Sequence, residues 1–250
     1  MKKLFALLFI AVLPSKAATT FIAPAMGNFD LRQWKLTLPI ADSDGYASEI
    51  MSDELLSGYA SKYFYLDANG KMTFWTPVTG DLATTPNSSY PRTELREIIG
   101  ENTRDDWNWE GHHTLQGCLW VSQVSMSQKV IVGQIHSYDE PLAKVQWYNG
   151  KVYAQIKKQE NGLNGELKTE LASPGNSMFC YTIDSNAGVV TVSVNGGNST
   201  SYDYVSADPN WKLQKFYFKA GSYCQEKISL ISSSDSMGCK VRFRSLSSAH

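Results

Sequence analysis

Lys144-Val145-Gln146-Trp147-Tyr148-Asn149-Gly150-Lys151-Val152-Tyr153-Ala154-Gln155-Ile156-Lys157 reads as a β-hairpin. Asn-Gly is the pair that a two-residue hairpin turn favours, because both central residues need positive φ. After the turn, Val152, Ala154 and Ile156 alternate with Tyr153 and Gln155, the period of two that sends successive side chains to opposite faces of a sheet. The pattern recurs outward from there. Residues 189–195 set Val190, Val192 and Val194 against Thr191, Ser193 and Asn195 and run into Gly196-Gly197, Asn69-Gly70 separates residues 63–66 from 72–75, and residues 129–136 alternate likewise. Helical periodicity is scarce; the best candidate lies within residues 48–59, where Ser52-Asp53-Glu54-Leu55-Leu56 suits a turn or two. Many short strands with Gly/Asn turns predict an all-β fold, a β-jelly roll or two-sheet antiparallel β-sandwich. The tryptophans are expected mainly in its core, where aromatic burial contributes most.

At 250 residues, 42% hydrophobic and 19% charged, the chain suits one sizeable domain with a real core, and no internal repeat is evident. Met1-Lys2-Lys3, an apolar run from Leu4 to Leu13, and then Pro14-Ser15-Lys16-Ala17 have the layout of a secretory signal peptide. Residues 1–17 are therefore expected to be removed, leaving residues 18–250 as a single catalytic domain, secreted to the extracellular space or periplasm. No later apolar run is long enough for a membrane span. Without Lys2, Lys3 and Lys16 the balance is 20 cations against 24 acids, a formal −4. Net charge does not draw such a protein to polyanions, so any cations that bind one must be gathered locally. With no Lys/Arg-rich block, nucleic acid is not expected as a partner, nor is a membrane.

The four cysteines, Cys118, Cys180, Cys224 and Cys239, are an even set in an oxidising compartment and favour two disulfides, with three connectivities open. The expected pairs are Cys224 with Cys239 and Cys118 with Cys180. A Cys/His metal site is disfavoured, because no CxxC spacing occurs.

Three alternating segments carry the chemistry: Arg92-Thr93-Glu94-Leu95-Arg96, Gln134-Ile135-His136, and Tyr217-Phe218-Lys219-Ala220-Gly221-Ser222-Tyr223-Cys224-Gln225. As strands, they present Arg92, Glu94, Arg96, Gln134, His136, Tyr217, Lys219, Tyr223 and Gln225 on one face, and send Leu95, Ile135, Phe218 and Ala220 to the other. Guanidiniums fork onto carboxylates, an amide donates without adding charge, and histidine is the usual general base near neutrality. This set suits β-elimination on a polyuronate. Arg92 and Gln134 neutralise the charge building on a carboxylate, His136 or Tyr223 removes the neighbouring C5 proton, and Tyr223 protonates the departing O4. Lys219 and Arg92 are expected to favour the phenolate of Tyr223. With His136 protonated near pH 4, the optimum is expected to be neutral to alkaline. His112 and His113 lack such a setting and are assigned no role.

The same segments resemble, in order, the three signature motifs of the alginate lyases of polysaccharide lyase family seven. Phe29-Asp30-Leu31-Arg32-Gln33-Trp34-Lys35-Leu36-Thr37-Leu38-Pro39 resembles that family's opening strand. The resemblance implies a jelly roll with an open concave groove and eliminative cleavage of alginate, an acidic polysaccharide, by a chain expected to be monomeric and to need no cofactor or metal. It makes Arg92, Gln134, His136 and Tyr223 catalytic, and Glu94, Arg96, Lys219 and Gln225 substrate-binding, with Glu94 orienting both arginines. Ile135, central in the second motif, implies acceptance of guluronate-containing blocks. Cys224 departs from the commonest pattern, and a disulfide there would brace the strand of Tyr223.

The rivals are a lyase on another polyuronate such as glucuronan, and a non-catalytic carbohydrate-binding jelly roll, which has no need of His and Tyr on one wall. A glycoside hydrolase needs two carboxylates flanking a bond. Glu94 and Glu97 are three residues apart and face opposite ways, and Glu94 lies between arginines that hold its pKa down.

Overall fold

The hairpin over residues 144–157 forms as read, with Asn149 at φ 47° and Gly150 at φ 82° in its turn. The structure is a computed structural model, and it describes residues 20–100, 106–162, 165–228 and 237–250. The expected signal peptide, residues 1–17, lies outside the described residues.

Among the described residues, fifteen strands form two antiparallel sheets. The front sheet runs in the order β10 (Glu166–Ala172), β9 (Lys151–Lys157), β8 (Pro141–Tyr148), β7 (Lys129–Ser137), β14 (Phe216–Cys224), β5 (Arg92–Glu97), β1 (Trp34–Ala41) and β2 (Ala47–Ile50). The back sheet runs β13 (Ser199–Asp203), β12 (Val189–Val194), β11 (Phe179–Asn186), β6 (His112–Gln123), β15 (Gly238–Ala249), β4 (Met72–Pro77) and β3 (Phe64–Leu66). This is the jelly roll that the alternation predicts. Ser52–Leu56 forms the short helix α1.

The core lies between the sheets. Leu95, Ile135, Phe218 and Ala220 of the front sheet are fully buried, as are Phe74, Phe179, Ile183, Val192 and Phe243 of the back sheet. Trp34, Trp107, Trp147 and Trp211 are buried in this layer as expected. Both expected disulfides are present, Cys118–Cys180 across β6 and β11 and Cys224–Cys239 between the two sheets.

One strand departs from simple alternation. In β7, Val130 and Val132 are buried in the core while Ile131 lines the outer face together with Gln134 and His136. The register slips by a residue at this point against both β14 and β8. The reason lies in the other sheet: Tyr181 of β11 donates its hydroxyl to the Val132 carbonyl at 3.2 Å, and a Cβ on Gly133 would lie 2.5 Å from that hydroxyl oxygen. The bulge restores the parity that puts Gln134 and His136 on the outer wall.

Candidate active site

The three chemistry-bearing segments are the three central strands β7, β14 and β5. Their register sets Tyr223 beside Arg92, Gly221 beside Glu94, Lys219 between Arg96 and Gln134, and Tyr217 beside His136. The outer face of this sheet is a groove of about 1140 Å³, lined by Arg92, Arg96, Gln134, His136, Tyr217, Lys219, Tyr223 and Gln225 among others. Six lysines and arginines line it against four acids, on a chain whose formal net charge is −1. The cations are gathered locally, as recognition of a polyanion requires.

Glu94 is the centre of the arrangement and orients Arg92 as expected, but its side chain is shut off from the groove. It is fully buried below the groove wall, where it accepts from Gln134 Nε2 at 2.6 Å and pairs with Lys219 Nζ at 2.8 Å and Arg92 Nη1 at 3.1 Å. It holds three groups that line the groove, without itself being part of the lining. Burial by itself pushes its carboxyl up, but the Lys219 and Arg92 charges, with hydrogen bonds from Lys219 and Gln134, outweigh that and hold it below the ordinary value. Gly221 makes this packing possible: at φ +150°, a Cβ there would stand 2.6 Å from the Thr93 carbonyl and 2.8 Å from Glu94 Cα.

Arg96 is a second correction. Glu94 anchors Arg92, whereas Arg96 is held by Asp106, at 2.7 Å, and by the Glu97 carbonyl, at 2.8 Å, with its guanidinium 3.8 Å from the centre of the Tyr217 ring. Burial raises Asp106 to about 6 despite Arg96. Glu97 faces the core, accepting from Trp107 Nε1 and the Phe218 amide, so Glu94 and Glu97 do diverge as expected.

Lys219 is 7% exposed, with its ammonium turned to Glu94. Burial and then Arg92 lower it to about 8, against the pull of Glu94. Gln225 lines the groove and donates to the Tyr223 carbonyl at 3.4 Å.

His136 donates Nδ1–H to the Ser137 carbonyl at 2.5 Å, since that oxygen has no proton to give. Its Nε2 is then the basic nitrogen. Burial first, then the Lys219 and Arg92 charges, lower its pKa to about 3. The expectation that His136 is protonated at pH 4 is therefore corrected: desolvation beside two cations keeps the imidazole neutral there. Tyr217 stacks on it at 5.5 Å, and burial pushes that phenol up to about 12, so it remains a neutral hydroxyl.

Tyr223 lies under the Arg92 guanidinium, 3.7 Å from ring centre to Cζ. Its hydroxyl is 3.0 Å from Ser88 Oγ, and Tyr90 packs edge-on against its ring. Ser88, Asp106 and Ile131 are site residues that the sequence reading did not find. The first two lie on connections without periodicity, and the third is hidden by the β7 bulge.

Groups able to move a proton thus stand beside carboxylate binders, and the one carboxylate among the three motifs' outward-facing residues is locked in ion pairs. That combination favours elimination over two-carboxylate hydrolysis. On this fold it defines a polysaccharide lyase. A family model described as alginate lyase matches residues 29–250, and the chain belongs to that family. A Klebsiella pneumoniae alginate lyase is 28% identical over 274 residues, covering 86% of this chain and 87% of that protein. Alginate lyase A1-II′ of polysaccharide lyase family 7 superimposes with a TM-score of 0.82 at 37% identity, covering 91% of this chain and 96% of that one. An alginate lyase from Pseudomonas aeruginosa does so with a TM-score of 0.77 at 31% identity, covering 88% and 99%.

Proposed function

We propose that this protein cleaves the 1,4-glycosidic bonds of alginate by β-elimination. The observation that carries the reading is the shared anchoring of Arg92 and Gln134 on buried Glu94, with Tyr223 and His136 on the same wall. Arg92 uses one of its five N–H donors on Glu94, and its Nε has no partner among the described residues. Gln134 retains a second amide N–H. These donors take a uronate carboxylate and stabilise the charge that develops when its α-proton leaves.

His136 Nε2 or Tyr223 then removes the proton from C5. The C–H electron pair becomes the C4=C5 double bond, the C4–O4 bond breaks, and the Tyr223 hydroxyl gives its proton to O4. The products are a fragment whose new non-reducing end is a 4,5-unsaturated uronate and a fragment whose new reducing end carries the former bridging oxygen as its C1 hydroxyl. A neutral imidazole is the state from which His136 acts as the base.

The protein accepts guluronate-containing blocks, and its specificity leans toward them. Ile135 supports this through the family resemblance, and its buried side chain acts through the strand rather than on the sugar. A1-II′ has been solved with a GGMG substrate and a GGG product, which supports the same class. The protein acts after secretion, on the reading of residues 1–17 as a leader.

The test is ultraviolet absorbance of the unsaturated product on alginate, polyguluronate, polymannuronate and glucuronan. Absorbance should rise on alginate and fastest on polyguluronate. No rise on any of them overturns the lyase reading, and a rise on glucuronan alone reassigns the substrate. Amino-terminal sequencing of the exported protein should begin at Ala18.

A further inference from the structure

The outer face of the back sheet, turned away from the groove, holds a second concavity of about 280 Å³ where β3, β4 and β15 meet the segment after β4. Trp75 and Tyr65 give it aromatic surfaces, and Lys62 and Lys240 supply two ammonium groups. Lys240 is the cross-strand neighbour of Trp75, with its Nζ 5.1 Å from the indole centre. Among the described residues neither lysine has a carboxylate within ion-pair distance. Asp81 is the one acid in the lining, and it is exposed. Beside the pocket on the same face, Arg242 lies over the Trp120 ring at 5.9 Å.

We propose that this pocket is a non-catalytic binding site for a uronate residue of an acidic polysaccharide, an inference that rests on the lyase reading for the identity of the polymer. A uronic acid has an apolar pyranose face and a carboxylate at its edge. An indole offers a flat apolar surface, and the two ammoniums, resting over the Trp75 and Tyr63 rings at 5.1 and 5.0 Å, have no carboxylate partner among the described residues and can swing to meet one. Two cations against one exposed acid make the pocket locally positive on a chain of net negative charge. The lining has no histidine, and it lacks the paired Arg–Gln carboxylate binders on a buried glutamate that mark the groove. The pocket therefore binds without cleaving. Because the groove and the pocket face opposite ways, a long or gelled polymer can engage both through different segments, which keeps the enzyme on its substrate between cleavages.

The experiment is calorimetric titration of the Tyr223→Phe protein with a saturated alginate tetrasaccharide, in that background alone and with Lys62→Ala and Lys240→Ala added. Lys62 is exposed and Lys240 half-buried with its ammonium over Trp75, so the fold should be retained, and thermal melting checks this. Two sites per chain are expected in the parent and one in the triple variant. The Lys62→Ala/Lys240→Ala pair in otherwise wild-type protein should leave tetrasaccharide turnover unchanged. A single site in the parent, or a second site that survives loss of both lysines, overturns the inference while leaving the lyase reading intact. Equal binding of a neutral cello-oligosaccharide at the second site overturns the assignment to acidic sugars. No binding by the parent, together with no absorbance rise by the wild type, overturns the function and this inference together.

Discussion

Replacing Glu94 by glutamine keeps the shape of the side chain and removes its charge. All three groups around it are donors: Lys219 Nζ at 2.8 Å, Arg92 Nη1 at 3.1 Å and Gln134 Nε2 at 2.6 Å. A carboxamide offers them one oxygen and turns its own N–H groups toward donors, leaving two buried cations without a counter-charge. Breaking a buried pair in this way costs about 3–5 kcal/mol. In a domain of this size that lowers Tm by about 6–20 °C. The loss should depend on pH. Because the Glu94 carboxyl is held below its ordinary value in the fold, its contribution is fully present above the unfolded pKa of about 4.3 and disappears as pH falls through the lower folded value. The gap in Tm between wild type and E94Q should be widest near pH 6, on the order of the loss above, and narrow in acid as Glu94 takes a proton. It should narrow again toward pH 8, because Lys219, already lowered to about 8 and no longer held up by Glu94, gives up its proton sooner in the variant. In kinetics, Arg92 and Gln134 lose their common anchor, and misplacement on the ångström scale costs about 10²-fold in kcat. KM for the polymer should not rise, because the groove becomes more positive. Melting curves across pH and steady-state absorbance kinetics measure both. A variant that melts within about 2 °C of wild type at pH 7 and retains its kcat would refute the anchoring role.

Ser88→Ala removes the partner of the Tyr223 hydroxyl and should lower kcat by about two- to tenfold with KM unchanged, the worth of one neutral hydrogen bond. Unchanged kcat would show that Tyr223 is positioned without it. His136, lowered to about 3, should show no titration of its ring resonances between pH 5 and 8 in NMR spectra. A His136 midpoint near 6 would restore it as the group that limits activity in acid. Cys224→Ser opens a loop with a sequence separation of 15 and should cost about 3 kcal/mol in thermal unfolding. If it leaves stability and activity unchanged, Cys224 does not brace the strand of Tyr223.

The strands and hairpins were legible because their signals are local: alternation over a few residues and Asn-Gly at the turns. The outer faces of β5 and β14 were legible for the same reason. Which charges meet on those faces was not. Glu94 pairs with Lys219, which is 125 positions away, because Gly221 opposite it leaves room, and that follows from register rather than composition. Arg96 turns to Asp106 on a connecting segment that carries no period. The placement of Ile131 on the groove side follows from the slip at Gly133, where the Tyr181 side chain enters from the other sheet. Burial of His136 likewise comes from neighbours remote in sequence, so its lowered pKa could not be read from Gln-Ile-His alone.

β14 carries Tyr223 and Lys219 in the interior of an eight-stranded sheet, with three or more strands on either side of it. Edge strands and loops open at little free-energy cost, but amides at the middle of a sheet exchange only when the whole domain opens. The reactive centre thus occupies what should be the slowest-exchanging part of the molecule, and β10 and β2 at the sheet margins fray first. Heat should therefore abolish turnover together with cooperative unfolding rather than ahead of it. Mild warming or low denaturant would loosen the ends of the groove, and with them the grip on long chains, before it disturbs the chemistry.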